Sequence, residues 1–110
     1  MREARIYYKD IEAGRLTETD DGTYEFRYLE DYVRGYPDQF ISLTIPVSNK
    51  IYTEKRLFPF FEGLIPEGWL LDIAAKNWKI NPNDRMGLLM ACCQNCIGAV
   101  SVIPIPEENE

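Results

Sequence analysis

Cys93-Gln94-Asn95-Cys96, with Cys92 beside it, has the spacing of a chemical site. C-x-x-C serves either as a redox pair or as part of a zinc site. Structural zinc takes four ligands, and this chain offers three Cys and no His. A redox pair usually opens a helix, where the dipole lowers the thiol pKa, whereas the spacing here puts the pair at a helix end. The plainer reading is three small apolar side chains in a reducing compartment. Glu62, Glu67, Asp72 and Asp84 are the carboxylates that invite an acid–base reading. Glu67 and Asp84 fall in the first turns of expected helices, where negative charge suits the dipole without any catalytic role. Without His, the commonest general base, the commonest metal ligand and the His-containing triads are all missing. Neither G-x-x-x-x-G-K-[ST] nor G-x-G-x-x-G occurs. The residues therefore predict a non-catalytic protein with no metal and no cofactor.

Charge narrows the class of partner. The net charge is −6, and Lys and Arg contacts to phosphate dominate nucleic-acid affinity, so direct binding to DNA or to anionic membranes is not expected. Met1-Arg2-Glu3 leads into no apolar signal core, and no apolar run approaches the roughly 20 residues of a membrane span. A cytoplasmic location is expected.

A binding role draws attention to Phe60-Phe61-Glu62-Gly63-Leu64-Ile65-Pro66-Glu67-Gly68-Trp69. Phe58, Phe61 and Ile65 have helical core spacing, with Phe60 and Leu64 on a neighbouring face. Pro66 cannot extend a preceding helix and biases Ile65 toward an extended conformation, so Pro66-Glu67-Gly68 reads as a tight connection. Trp69 then stands near a loop tip, either tucked onto the core or exposed as an anchor for a partner.

Around this segment the chain, 110 residues and 45% apolar, reads as one α+β domain over residues 1–106 with a short acidic tail at 107–110. Strands are expected at Arg2–Tyr8, at Ile11–Thr17 with a bulge at Gly14, and at Thr23–Tyr28 after an Asp20-Asp21-Gly22 turn. Leu29–Gly35 suggests one helical turn. Ile41–Ile45 alternates as a fourth strand ended by Pro46, and Asn49–Thr53 reads as loop. Three helices follow: Thr53 to Glu62 with Gly63 at its end, Glu67 to Trp78, and one opened by Asn81-Pro82 and running to Cys93. Gly98–Ile103 closes the fold as a strand bounded by Pro104 and Pro106. The expected architecture is an antiparallel meander of about four strands, about three helices packed on one face, and a final strand returning to the sheet.

Ile41-Ser42-Leu43-Thr44-Ile45-Pro46, then Phe60-Phe61-Glu62-Gly63-Leu64-Ile65-Pro66-Glu67-Gly68, then Leu88-Leu89 and Asn95-Cys96-Ile97-Gly98-Ala99-Val100 occur in the order that marks the N-terminal subdomain of HipA-type serine/threonine kinase toxins. The chain resembles that family from about Arg2 to Pro106. Asn95 stands where the family usually has Asp, and Cys93 where it often has Gly. The nucleotide-binding and catalytic parts of such kinases follow this subdomain, and no kinase motif occurs here. The resemblance implies the stand-alone version found in split systems, in which a HipS-like antitoxin binds and suppresses a shortened HipT-like kinase while a HipB-like protein handles DNA in a ternary complex. It implies that Gly63, Leu64, Ile65, Pro66, Glu67, Gly68 and Trp69 form the kinase-facing loop. The alternative is the structural N-terminal subdomain of a longer kinase, with no activity of its own.

Overall fold

Strand alternation in the first 28 residues decides which side of the sheet becomes core. The computed structural model describes residues 2–65, 76–77, 79–92 and 99–105. Within them run strands β1 (Arg2–Tyr8), β2 (Ile11–Glu18), β3 (Tyr24–Tyr28), β4 (Tyr52–Glu54) and β5 (Val100–Ile105). The helices are α1 (Glu30–Gly35), α2 (Pro59–Glu62) and α3 (Arg85–Cys92). The strands form one sheet in the order β4-β3-β2-β1-β5, every neighbouring pair antiparallel. The α+β expectation holds, including the last strand, which pairs with the first.

One face of the sheet presents Ala4, Ile6, Leu16, Phe26 and Val102, all fully buried. Against it pack Phe61 of α2 and Met86, Leu88 and Leu89 of α3, also fully buried. The Phe26 ring lies 5.0 Å from Tyr28 in an edge-to-face pair and 5.8 Å from Phe61, which joins sheet to helix layer. Among the described residues no helix is long and apolar enough to cross a membrane.

The hairpin turns set the register. Tyr8 pairs with Ile11, leaving Lys9 and Asp10 as a two-residue loop in which both take positive φ, as a type I′ turn requires. Gly22, at φ 89°, takes the left-handed conformation that lets Thr19 pair back with Thr23. Between β1 and β2 the pairing slips: Ile6 faces Gly14 but Tyr7 faces Glu12, so Ala13 is the extra residue of a bulge. A Cβ on Gly14 would sit 2.3 Å from the carbonyl oxygen of Arg27 and 2.8 Å from the Phe26 ring. The bulge anticipated at Gly14 falls one residue earlier, at Ala13, and Gly14 is glycine because β3 and the Phe26 ring come too close for anything larger.

Four local differences from the sequence expectations have physical causes. Ile41–Ile45 is not a strand: the Ile45 N–H donates to Ser42 O at 3.0 Å, closing a β-turn. Ile41 and Ile45 go into the core while Leu43, at the tip, is 84% exposed. The fourth strand is Tyr52–Glu54, expected as loop, because Tyr52 pairs with Phe26 and shares its face. Thr53 thus lies in β4, and α2 begins at Pro59, whose missing N–H loses nothing at a first helical position. Pro104 lies inside β5, paired with Ala4 on an edge strand, where a lost donor can face outward.

Gly14→Ala should lower stability by about 1–3 kcal/mol through overpacking against backbone, read as a fall in the urea midpoint with an unchanged m-value.

Candidate partner-binding surface

The segment Phe58–Ile65 is held by three means. Its apolar side chains Phe58, Phe61 and Ile65 enter the core, as their spacing predicts. Its backbone closes on itself: Gly63 N–H donates to Pro59 O at 3.0 Å, Leu64 N–H to Phe61 O at 3.0 Å, and Ile65 N–H to Glu62 O at 3.2 Å. Gly63, expected at the helix end, is the C-cap residue. Finally, Glu62 ties α2 to α3, accepting from Arg85 Nε at 2.7 Å.

α3 is fixed in turn at its first turn. Asn81 Oδ1 accepts from Asn83 N–H at 2.8 Å, and Asp84 N–H donates to Asn81 O at 2.8 Å. That turn delays the helix, so Asp84 rather than Asn81 is its N-cap, accepting from Gly87 N–H at 3.2 Å. The same carboxylate accepts two bonds from Arg2, Nη2 to Oδ1 at 2.7 Å and Nη1 to Oδ2 at 3.0 Å. Arg2 Nε reaches Glu18 Oε1 at 2.7 Å, so one guanidinium joins β1, β2 and the start of α3. The Arg2 hydrogen bond holds the Asp84 carboxyl below its usual range, and Arg2 is raised by Asp84 and then Glu18. Glu62 and Asp84 therefore have structural roles.

Of the expected loop residues, Gly63 is exposed, Leu64 half-buried, and Ile65 only 3% exposed, seating the near end of the loop. Pro66, Glu67, Gly68 and Trp69 lie outside the described residues, as does most of the helix expected from Glu67 to Trp78. Cys93 and Cys96 lie outside them too.

The Ser42–Ile45 turn is a feature that strand-like alternation concealed. The Tyr28 hydroxyl accepts from Ile41 N–H at 3.1 Å and donates to Ile45 O, clasping both ends of the turn. Thr44 N–H donates to Ser42 Oγ at 3.3 Å inside it. Leu43 is thus an exposed apolar side chain on a braced support. Burial pushes the Tyr28 hydroxyl up to about 12.

The sequence profile of the HipA N-terminal domain family matches residues 4–103. An uncharacterised protein of Haemophilus influenzae is 31% identical over 102 residues, covering 93% of this chain and 92% of that protein. A solved structure described as the N-terminal domain of HipA toxin superposes with a TM-score of 0.74 at 29% identity, covering 98% of this chain and 96% of the other.

Two substitutions test the bracing. The raised Tyr28 value means the fold favours the neutral phenol, so its contribution is full below pH 10 and is lost as pH rises toward about 12. Tyr28→Phe should cost about 1–3 kcal/mol at pH 7 by leaving Ile41 N–H and Ile45 C=O unpaired. It should also flatten the alkaline fall in the urea midpoint. Asp84, lowered in the fold, contributes above its unfolded value near 3.8 and loses that contribution as pH falls through its folded value. Asp84→Asn should accordingly lower stability at pH 7 and weaken its dependence on pH between 5 and 2, followed by circular dichroism.

Proposed function

This chain belongs to the HipA N-terminal domain family, and from that membership we propose that it is a non-catalytic antitoxin that binds and inhibits a HipT-like serine/threonine kinase. The observation that carries the reading is the extent of the match. The Haemophilus influenzae relative is matched over 92% of its own length, so that protein consists of little more than this domain. A domain that exists as a protein of its own, without the kinase core, needs a partner to act upon. A HipB-like DNA-binding protein would complete a ternary complex, taking on the nucleic-acid contacts that a chain of net charge −6 is ill suited to make.

The support beneath the loop suits such a role. Ile65 in the core and the Glu62–Arg85 pair fix the start of the Gly63–Trp69 segment. A loop held at its base gives up less freedom on binding, which favours affinity. In this reading Trp69 is the anchor that enters the kinase cleft, and the rest of the loop excludes water around it.

Trp69→Ala should weaken binding to the co-expressed kinase by about 2 kcal/mol or more, roughly thirtyfold, with the domain still folded. Growth rescue and co-purification with the neighbouring kinase gene product provide the readout. Normal neutralisation by the variant would remove Trp69 from the proposal, and failure of the wild-type chain to co-purify with the kinase would remove the proposal itself.

A further inference from the structure

The sheet face turned away from α2 and α3 carries a row of cations that the core does not explain. The register that buries Ala4, Leu16 and Phe26 on one side sets Arg5 opposite Arg15, and Arg15 opposite Arg27, on the other. Neighbouring strands lie about 4.8 Å apart, so three guanidinium-bearing side chains stand in line across β1, β2 and β3 at roughly that spacing. Like charges directly opposite one another weaken a sheet.

Internal compensation is partial. Glu12 Oε2 lies 3.7 Å from Arg5 Nε and 3.8 Å from Arg15 Nε, beyond hydrogen-bond range. Glu12 Oε2 and Arg15 Nε are both shut off from solvent with no hydrogen-bond partner among the described residues. Arg27 is exposed, with no carboxylate in ion-pair reach among the described residues. Isoleucines flank the row: Ile103 pairs with Arg5, and Ile51, 53% exposed, lines a hollow shared with Arg15 and Arg27.

We infer that this face is a docking surface for an acidic α-helix of a partner protein, lying across the strands. Carboxylates three or four residues apart on a helix stand about 5–6 Å from one another, close to the spacing of the arginine row. Each can accept two parallel bonds from a guanidinium. The apolar ends, Ile51 and Ile103, suit the apolar residues that border such a helix face. A nucleic-acid duplex fits less well, because its two phosphate backbones would extend over Glu3 and Glu25 in the adjoining row, whereas a helix can confine its carboxylates to the line of the arginines. This surface is on the opposite side of the sheet from α2, whose Phe61 packs on Phe26. It does not depend on the kinase reading.

The test is a titration of the isotopically labelled full chain, followed by NMR, with a synthetic helical peptide bearing Glu at every fourth position. The controls are the same peptide with Gln in place of Glu, and a short DNA duplex. Shifts confined to the open face of β1, β2 and β3 with the Glu peptide alone, weakened at least tenfold in Arg27→Gln, support the inference. Arg15→Thr should abolish binding and at the same time raise the urea midpoint, since it relieves like-charge crowding. A residue kept only for the fold would lower the midpoint, and that result would overturn the inference. Equal binding of the Gln peptide, tighter binding of the duplex, or no shifts at all would also overturn it. Arg27→Gln removes an exposed side chain without described partners, so its binding is read on a folded chain, and unchanged binding in it overturns the inference by itself.

Discussion

The close approach at Gly14 is the constraint from which much of this molecule follows. There β2 passes against the Arg27 carbonyl and the Phe26 ring with no room for a side chain, immediately after the bulged Ala13. The bulge moves the pairing by one residue, and a one-residue shift exchanges the two faces of a strand. Because of it, Ala13 and Leu16 both reach the core while Glu12, Arg15 and Thr17 face outward. The bulge thus sets Arg15 opposite Arg5, and the β2–β3 pairing brings Arg27 into the same line.

Regular secondary structure accounts for only part of the rigidity. Between α1 and β4 the chain is irregular, yet tyrosine hydroxyls bind its backbone at several points. Tyr28 holds Ile41 and Ile45, Tyr32 donates to Gln39 O at 2.6 Å, and Tyr52 donates to Pro46 O at 2.6 Å. The rings of Tyr28 and Tyr32 stack at 5.8 Å, and Tyr36 lies 5.1 Å beyond. Each ring buries apolar area while its hydroxyl satisfies a carbonyl that a strand would otherwise have paired. The exposed Leu43 is presented by that arrangement.

What could be read from the residues alone follows the same division. β1, β2 and β3 were legible because their period-2 pattern and turn signals are local, and so was the core spacing of Phe58, Phe61 and Ile65. Ile41–Ile45 misled because alternating apolar residues suit a strand, whereas a distant hydroxyl makes the segment a turn. β4 offers a single buried-face aromatic, Tyr52, in three residues, too little for a pattern. The arginine row was hidden for a related reason: each Arg is plain in the sequence, but their alignment depends on two pairings and one bulge. Asp84 was placed correctly at a helix start, while its link to Arg2, 82 residues away, required the fold.

The strand order also has a temporal consequence. β1 lies between β2 and β5, and its partners in β5 are about a hundred residues further along the chain. During synthesis the hairpin of β1 and β2 can form early, but one edge of β1 stays unpaired until Val100–Ile105 has emerged. Such non-local pairing slows folding, and an open edge is a template for association with other chains. Pro104 lets β5 seal that edge while making β5 itself a poor template for a further strand. Among the described strands, the one furthest along the chain is therefore the one that closes the open edge of the first.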